Sequence, residues 1–256
     1  MTSCLVIGAG GFIGVNMVAY LKNAGFIVHE AFRGTSREEL ARNTYDLVFN
    51  CAGNSKTWLS QRDPLKCLQE NVIDLVSDLK DLRFGVWVQI SSNTVYTTEN
   101  TQEDVTIVTE EIGTYAFHKL LGEHYTQHLA SKWLVLRPTG FFGPGLKKNL
   151  LFDLRHNATQ IFYTRDSFID FLPIEIFCEM ATILAERTVH EVVNVGSGIA
   201  VSVEKIIKPF SHTTISENAR YVDNRKLNLA KLKQYYPKMP SNDKIESQVR
   251  AFLVAT

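Results

Sequence analysis

Short runs of apolar, β-branched residues along this chain are separated by stretches in which apolar residues recur at helical spacing. Cys4-Leu5-Val6-Ile7 is the first run and reads as a buried parallel strand. A helical pattern from Phe12 to Ala24 follows, and Gly25 suits its C-terminal cap. Phe26 to Phe32 predicts a second strand, Ser36 to Arg42 a short helix, and Tyr45 to Asn50 a third strand. Asp63 and Pro64 then open a long helix as N-cap and first helical residue. It runs to about Leu82 with an apolar stripe through Leu68, Val72, Leu75, Val76 and Leu79, and Asn71 lies beside that stripe. Gly85 to Ile90 is a strand, Thr97 to Glu111 a polar loop, Thr114 to Ala130 a helix, and Trp133 to Arg137 a strand.

Past Gly140-Phe141-Phe142-Gly143-Pro144-Gly145 the alternation loses regularity. Ile174 to Glu186 reads as a helix and Glu191 to Val195 as a strand, ending in Gly196-Ser197-Gly198. Ser202 is placed to cap a helix through Pro209, and the tail is helical from Leu227 to Tyr236 and from Asp243 to Phe252. The pattern predicts an α/β fold: a doubly wound parallel sheet in the first ~140 residues, with a smaller C-terminal lobe over its carboxyl edge.

Composition narrows the partners. With 256 residues, 45% hydrophobic and 21% charged, the chain can build a sizeable core and does not read as disordered. Lysine plus arginine equals aspartate plus glutamate at 27 each, which argues against nucleic acid or an anionic membrane as the main partner. No apolar run approaches the length of a membrane span. Cys4, Cys51, Cys67 and Cys178 lack metal-ligand spacing, so no metal site is expected, and reduced cytoplasmic thiols are the simplest reading. Met1 leads almost directly into the first strand, with no basic-then-apolar leader pattern.

The candidate chemistry begins at Gly8-Ala9-Gly10-Gly11-Phe12-Ile13-Gly14. The common G-x-G-x-x-G fingerprint fails because its third glycine falls at Ile13; the spacing that fits is G-x-x-G-x-x-G, at Gly8, Gly11 and Gly14. Between a strand and a helix, such a turn lets the backbone approach a pyrophosphate. The helix start, through Phe12 and Ile13, offers it free N–H groups and a positive dipole end. A tight turn without a ligand is the competing reading. At the end of the second strand, where NAD enzymes of this architecture place an acid, stands Arg33, with Thr35 and Ser36 nearby. An arginine there suits a 2′-phosphate, which favours NADP over NAD; Glu30 would be the acid if the register were shifted by two. Cys51-Ala52-Gly53 and Ser91-Ser92 follow the next strand ends, where such sheets bind ligands. Tyr115 and Lys119 are four apart on one helix and share a face. A neighbouring ammonium would draw the tyrosine down from its usual pH of about 10 and fit it for acid–base work, although a surface helix pair has the same spacing.

Taken in order, these motifs resemble the extended short-chain dehydrogenase/reductase family, also called the NAD-dependent epimerase/dehydratase family. The landmarks are Gly8-x-x-Gly11-x-x-Gly14, Asn50-Cys51-Ala52-Gly53, Glu70-Asn71-Val72, Ile90-Ser91-Ser92-Asn93-Thr94-Val95-Tyr96, Tyr115 with Lys119, Leu136-Arg137-Pro138 with Gly143-Pro144-Gly145, and Asn194 to Gly198. The resemblance implies a Rossmann fold, bound NAD(P), and often a nucleotide-sugar substrate. It makes Tyr115 the acid–base, Lys119 the ligand of the nicotinamide ribose, and Ser92 the partner of the reacting oxygen. Asn71 and Ser91 join the cofactor residues. The implied division is a dinucleotide-binding domain over 1–143, with about 170–198 packing back on it, and a substrate lobe over 144–169 and 199–256. A homodimer through the helices around 64–82 and 114–130 is also implied.

Departures from the family limit the chemistry. Asn93-Thr94 stands where dehydratases carry Asp-Glu, so 4,6-dehydration is not expected. Gly140 replaces an asparagine that touches the substrate diphosphate, and the segment between Arg33 and Tyr45 omits an element. Lys147, Lys148 and Arg165 are candidates for that diphosphate. Asp170 to Glu175 resembles a segment that packs on the sheet. The leading expectation is an NADPH-dependent reductase of a 4-keto-6-deoxy nucleotide sugar; an epimerase, or a non-catalytic NADP-sensing module, are the alternatives. His118 and His124 are read as non-catalytic, and Trp58, Phe141 and Phe142 as pocket or core.

Overall fold

The computed structural model describes residues 1–97, 101–105, 107, 109–219 and 225–254. The loop expected over Thr97 to Glu111 lies partly outside these residues, and within it Thr109–Glu111 forms a 3-10 turn. The chain begins with β1 (Ser3–Ile7), α1 (Phe12–Asn23), β2 (Ile27–Ala31), α2 (Arg37–Leu40) and β3 (Thr44–Asn50). Next come α3 (Thr57–Arg62), α4 (Pro64–Leu68), a π-helical turn (Gln69–Ile73), α5 (Asp74–Asp81), β4 (Arg83–Ile90), α6 (Thr114–Leu129) and β5 (Trp133–Pro138). The remainder holds β6 (Gly140–Phe142), α7 (Leu150–Arg155), β7 (Gln160–Ile161), β8 (Phe168–Pro173), α8 (Ile174–Arg187) and β9 (Glu191–Val195). It closes with β10 (Ala200–Ser202), α9 (Val203–Ile207), β11 (Thr214–Ile215), α10 (Ala230–Tyr235) and α11 (Asn242–Val254).

Six parallel strands form the central sheet in the order β2-β1-β3-β4-β5-β9. Its strands are nearly continuous apolar runs because both faces are covered. One face packs on α1 and α8 through Met17, Leu21, Phe177 and Leu184, and the other on α5 through Leu75, Leu79, Tyr45 and Trp87. The strand order reverses at β1, and Ile7 is level with Ala31 on β2 and with Asn50 on β3. The residues after these three strand ends therefore meet at one edge, where doubly wound sheets bind their ligands. A second core, built on Phe142, Leu150, Leu154, Phe171, Val203 and Ile245, covers a small sheet of order β10-β8-β6.

The long helix expected from Pro64 to Leu82 is interrupted. Asp63 caps it as anticipated, accepting a hydrogen bond from the Lys66 N–H at 3.0 Å, with Pro64 at the first position. At Asn71 the side-chain Nδ2 donates to the Cys67 carbonyl at 3.0 Å. That carbonyl would serve the backbone N–H of residue 71 in an α-helix, and the side chain's competition accompanies the wider π-turn. Ser202 precedes α9 as expected but makes no side-chain cap, and the helix ends at Ile207.

Candidate active site

A cleft of about 750 Å³ opens at the strand-order reversal. Its floor is Gly8, Gly10 and Gly11, one wall is Cys51, Ala52 and Gly53, and its far end is Phe32, Arg33 and Thr35. Gly8 has φ +79°, and a Cβ there would lie 2.8 Å from the Ala52 backbone. At Gly14 a Cβ would lie 2.1 Å from the Gly8 carbonyl oxygen, so only glycine lets α1 start against this turn. Gly11 caps α1 without a side-chain hydrogen bond, and no acid occupies the first turn. The helix start is thus left to an anion.

The inner end of the cleft is formed by Gly53 and Asn71, with Lys119 behind Gly53. A Cβ on Gly53 would lie 2.5 Å from Asn71 Oδ1 and 3.6 Å from Lys119 Nζ. Asn71 is buried, its Nδ2 donates to the carbonyls of Cys67 and Asn54, and its Oδ1 has no partner. A buried acceptor of this kind calls for a donor. With the glycine cradle at the other end, the residues present fit an extended dinucleotide.

Tyr115 and Lys119 are both buried on α6. Lys119 Nζ donates to the Ile90 carbonyl at 2.9 Å, which ties α6 to the end of β4 two residues before Ser92. Burial pulls the Lys119 amine down to about 8. The Tyr115 phenol behaves oppositely to expectation. Burial pushes it up to about 12, against a hydrogen-bonding influence from Ser92. Removal from water outweighs the neighbouring amine because Lys119 is turned to Ile90 and itself desolvated. Ser92 Oγ accepts from Thr94 N–H at 3.2 Å and Thr94 Oγ1 at 2.9 Å.

Arg33 is 89% exposed and pairs with Glu70 at 3.3 Å at the mouth of the cleft. Glu30 lies within β2 opposite Val6 and pairs with Lys22 at 2.6 Å, so it is not the acid at the strand end. The hydroxyl of Ser91 donates to Glu123 and its N–H to the Leu136 carbonyl, so toward a ligand Ser91 offers acceptors and no donor. Phe141 packs on Phe177 and Phe142 on Phe252, both as core, whereas Trp58 is 56% exposed. His118 turns to Cys67, with Nδ1 3.1 Å from Sγ, and His124 lies against His128. Arg165 pairs with Glu204, and Lys148 Nζ donates to the Ser55 carbonyl. Asp170 accepts from Ser197 and Gly198, a structural clasp on the turn after β9.

Sequence reasoning missed three features. Arg37 lines the cleft but is tied to Asp78 at 2.7 Å. Cys67 and His118 together brace Asn71, whose Nδ2 lies 3.3 Å from Cys67 Sγ. Glu123 joins Ser91 to Arg137. The i, i+4 spacing of Cys67 and Asn71 was the one available signal. Among the described residues, no group of three or more His, Cys, Asp or Glu side chains is placed to hold a metal ion, and no helix is long and apolar enough to cross a membrane.

A parallel sheet with its reversal at β1, a glycine cradle and a Tyr/Lys helix beside the same edge define a dinucleotide-binding oxidoreductase-type fold. The NAD dependent epimerase/dehydratase family matches residues 4–196, and the chain belongs to that family. It is accordingly an enzyme of nicotinamide-dinucleotide chemistry. The fold is similar to that of RMD from Pseudomonas aeruginosa complexed with NADPH, at TM-score 0.83 and 22% identity, over 99% of this chain and 98% of that one. It is also similar to the UDP-N-acetylglucosamine 4-epimerase from Methanobrevibacter ruminantium M1 in complex with UDP-N-acetylmuramic acid, at TM-score 0.85 and 18% identity, over 98% and 97%. A third similar fold is UDP-glucuronic acid 4-epimerase from Bacillus cereus in complex with UDP-glucuronic acid and NAD, at TM-score 0.81 and 20% identity, over 97% and 98%. No curated protein sequence matches significantly.

Proposed function

We propose that this enzyme uses NADPH to reduce the keto group of a nucleotide-activated 4-keto-6-deoxy sugar. The observation that carries the reading is the gathering of Ser92, Tyr115 and Lys119 beside the Gly53–Asn71 end of the cleft, with Arg33 at its other end. Bound cofactor supplies the hydride. Phe12, Ile13 and Gly14 would hold its diphosphate by backbone N–H groups, Gly8 and Gly11 would form the turn beneath it with their own N–H groups donated to the Ala31 and Gly8 carbonyls, and Cys51, Ala52 and Gly53 would let it lie against the backbone. Arg33 leaves Glu70 to meet the 2′-phosphate, a stronger charge-assisted partner. Lys119 and Asn71 Oδ1 present a donor and an acceptor to ribose hydroxyls, and Ser91 contributes its carbonyl.

Tyr115 then acts as the acid. Burial keeps the phenol protonated at neutral pH, which is the form that can give a proton to a carbonyl oxygen as that oxygen gains charge. Ser92 orients the same oxygen. The Lys119 amine, one turn along α6, favours the phenolate left behind. Residues 144–169 and 199–256 close over the sugar as the substrate lobe. Apolar side chains left exposed on α4, the π-turn and α6 (Leu65, Ile73, Leu129) suit a homodimer.

Purified protein should oxidise NADPH when given 4-keto-6-deoxy nucleotide sugars, and Tyr115→Phe should slow the reaction by about 10²- to 10⁴-fold. Interconversion of sugar epimers with tightly retained NAD(H), and no net NADPH oxidation, would replace this reading with the epimerase one. Tyr115→Phe leaving the biological activity intact would point to a sensing module.

A further inference from the structure

One face of α6 carries Tyr115, Lys119 and Glu123, each a turn beyond the last. The proposed reaction uses the first two. Glu123 is 1% exposed, yet its carboxylate is fully engaged. Arg137 on β5 donates from Nε to both oxygens, at 3.0 and 3.2 Å, and from Nη2 to Oε2 at 2.7 Å. Ser91, immediately before Ser92, donates its hydroxyl to Oε1. Arg137 Nη1 continues to the Tyr96 hydroxyl at 2.9 Å, and Tyr96 donates to Asn194 Oδ1 on β9 at 2.8 Å. One buried network thus joins the catalytic helix, the ends of β4 and β5, and β9.

Lys119 lies one turn before Glu123 on the same face of α6, and its amine donates to the Ile90 carbonyl at 2.9 Å. The titratable groups that face it are Glu123 on its own helix, Cys51 after β3 and Cys67 on α4, with Tyr115 one turn back. Burial holds both thiols and the phenol neutral, and Arg137 is taken up by Glu123 and Tyr96. Among the described groups that act on the amine, Glu123 is the one that carries a negative charge.

We propose that Glu123 is the positioning residue of this site. Clamped by Arg137 and Ser91, it keeps the Lys119 amine charged for the cofactor ribose and fixes the strand end that presents Ser92. The inference rests on Lys119 meeting the cofactor as proposed above. Burial draws the amine down to about 8, and Glu123 is the largest influence opposing it. Loss of that charge would draw the amine down further, so that Lys119 begins to lose its proton in the free protein already near neutral pH.

The test is calorimetric titration of NADPH into the full chain, in buffers of different ionisation enthalpy, from about pH 6.5 to about pH 9. The wild type should take up a proton on binding as pH passes about 8, because the bound amine is charged. In Glu123→Gln the uptake should begin about one pH unit lower, and affinity at pH 8 should fall about tenfold. Glu123→Asp should shift the onset by a smaller step in the same direction, and it serves if the glutamine variant does not fold. A lower melting temperature with an unmoved onset in the folded variants would overturn the proposal and leave Glu123 a purely structural anchor. Lys119→Met should abolish the uptake. If it kept both uptake and affinity, the placing of Lys119 at the cofactor would fall, and this role with it.

Discussion

Tyr115 shows how burial and function meet in one side chain. Its phenol is protonated far above neutral pH, so a reduction that draws a proton from it should hold its rate through neutrality and fall only at alkaline pH. The pH profile of kcat for the keto-sugar reduction checks this. Arg33 supports a separate expectation. Arg33→Ala should weaken NADPH about tenfold while leaving NADH unchanged, as fluorescence titration of both cofactors would read. The spacing of Tyr115 and Lys119 made their shared face on one helix legible from sequence. The tie of the Ser91 hydroxyl to Glu123 was not legible. The hydroxyls of Ser91 and Ser92 go to different partners, one to Glu123 and the other toward Thr94 and Tyr115, and which goes where depends on Arg137, far along the chain.

Among the elements, the glycine turn and the π-turn are the least tolerant. Gly14→Ala would press a methyl group onto the Gly8 carbonyl, so it should either abolish NADPH binding or lower the melting temperature by several degrees. Deleting Gln69 should return the π-turn to α-helical register. Asn71 Oδ1 would then turn away from Gly53, and NADPH affinity should fall at least about tenfold with helical circular dichroism retained. The strands of the central sheet were readable because each is a short apolar run between turn residues, and Glu191–Val195 falls within its expected bounds. The π-turn was not readable, since one widened turn hardly disturbs an apolar stripe. Nor were β7 and β11, which are two residues long and have no period to show.

Taken as one molecule, the protein buries the thiols of Cys4, Cys67 and Cys178 and half-buries that of Cys51 on the cleft wall. Cys4 and Cys51 are both pushed by burial up to about 12 from 9.0. Their folded values lie above their unfolded ones. The stability they contribute is therefore complete below about pH 9 and declines as pH climbs toward about 12, because only the unfolded chain ionises them in that window. Lys119 works the other way between about 8 and 10.5, where the unfolded chain binds the extra proton, so it adds stability up to about pH 9 and offsets part of the thiols' loss from there to about 10.5. Melting temperatures measured across the alkaline range should drop steeply only above pH ~10, and Cys4→Ala should make that drop gentler.

The edge position of β2 has a consequence for turnover. Only the four-residue α2 separates it from β3, Phe32 and Arg33 stand exposed, and a Cβ on Gly34 would meet nothing within 4 Å. Among the described residues, no flap covers Arg33 at the end of the groove proposed for the adenosine. A dinucleotide seated in it has an open way out, so it should behave as a co-substrate that comes and goes each cycle. The rate would then follow the ratio of reduced to oxidised coenzyme in the surrounding solution.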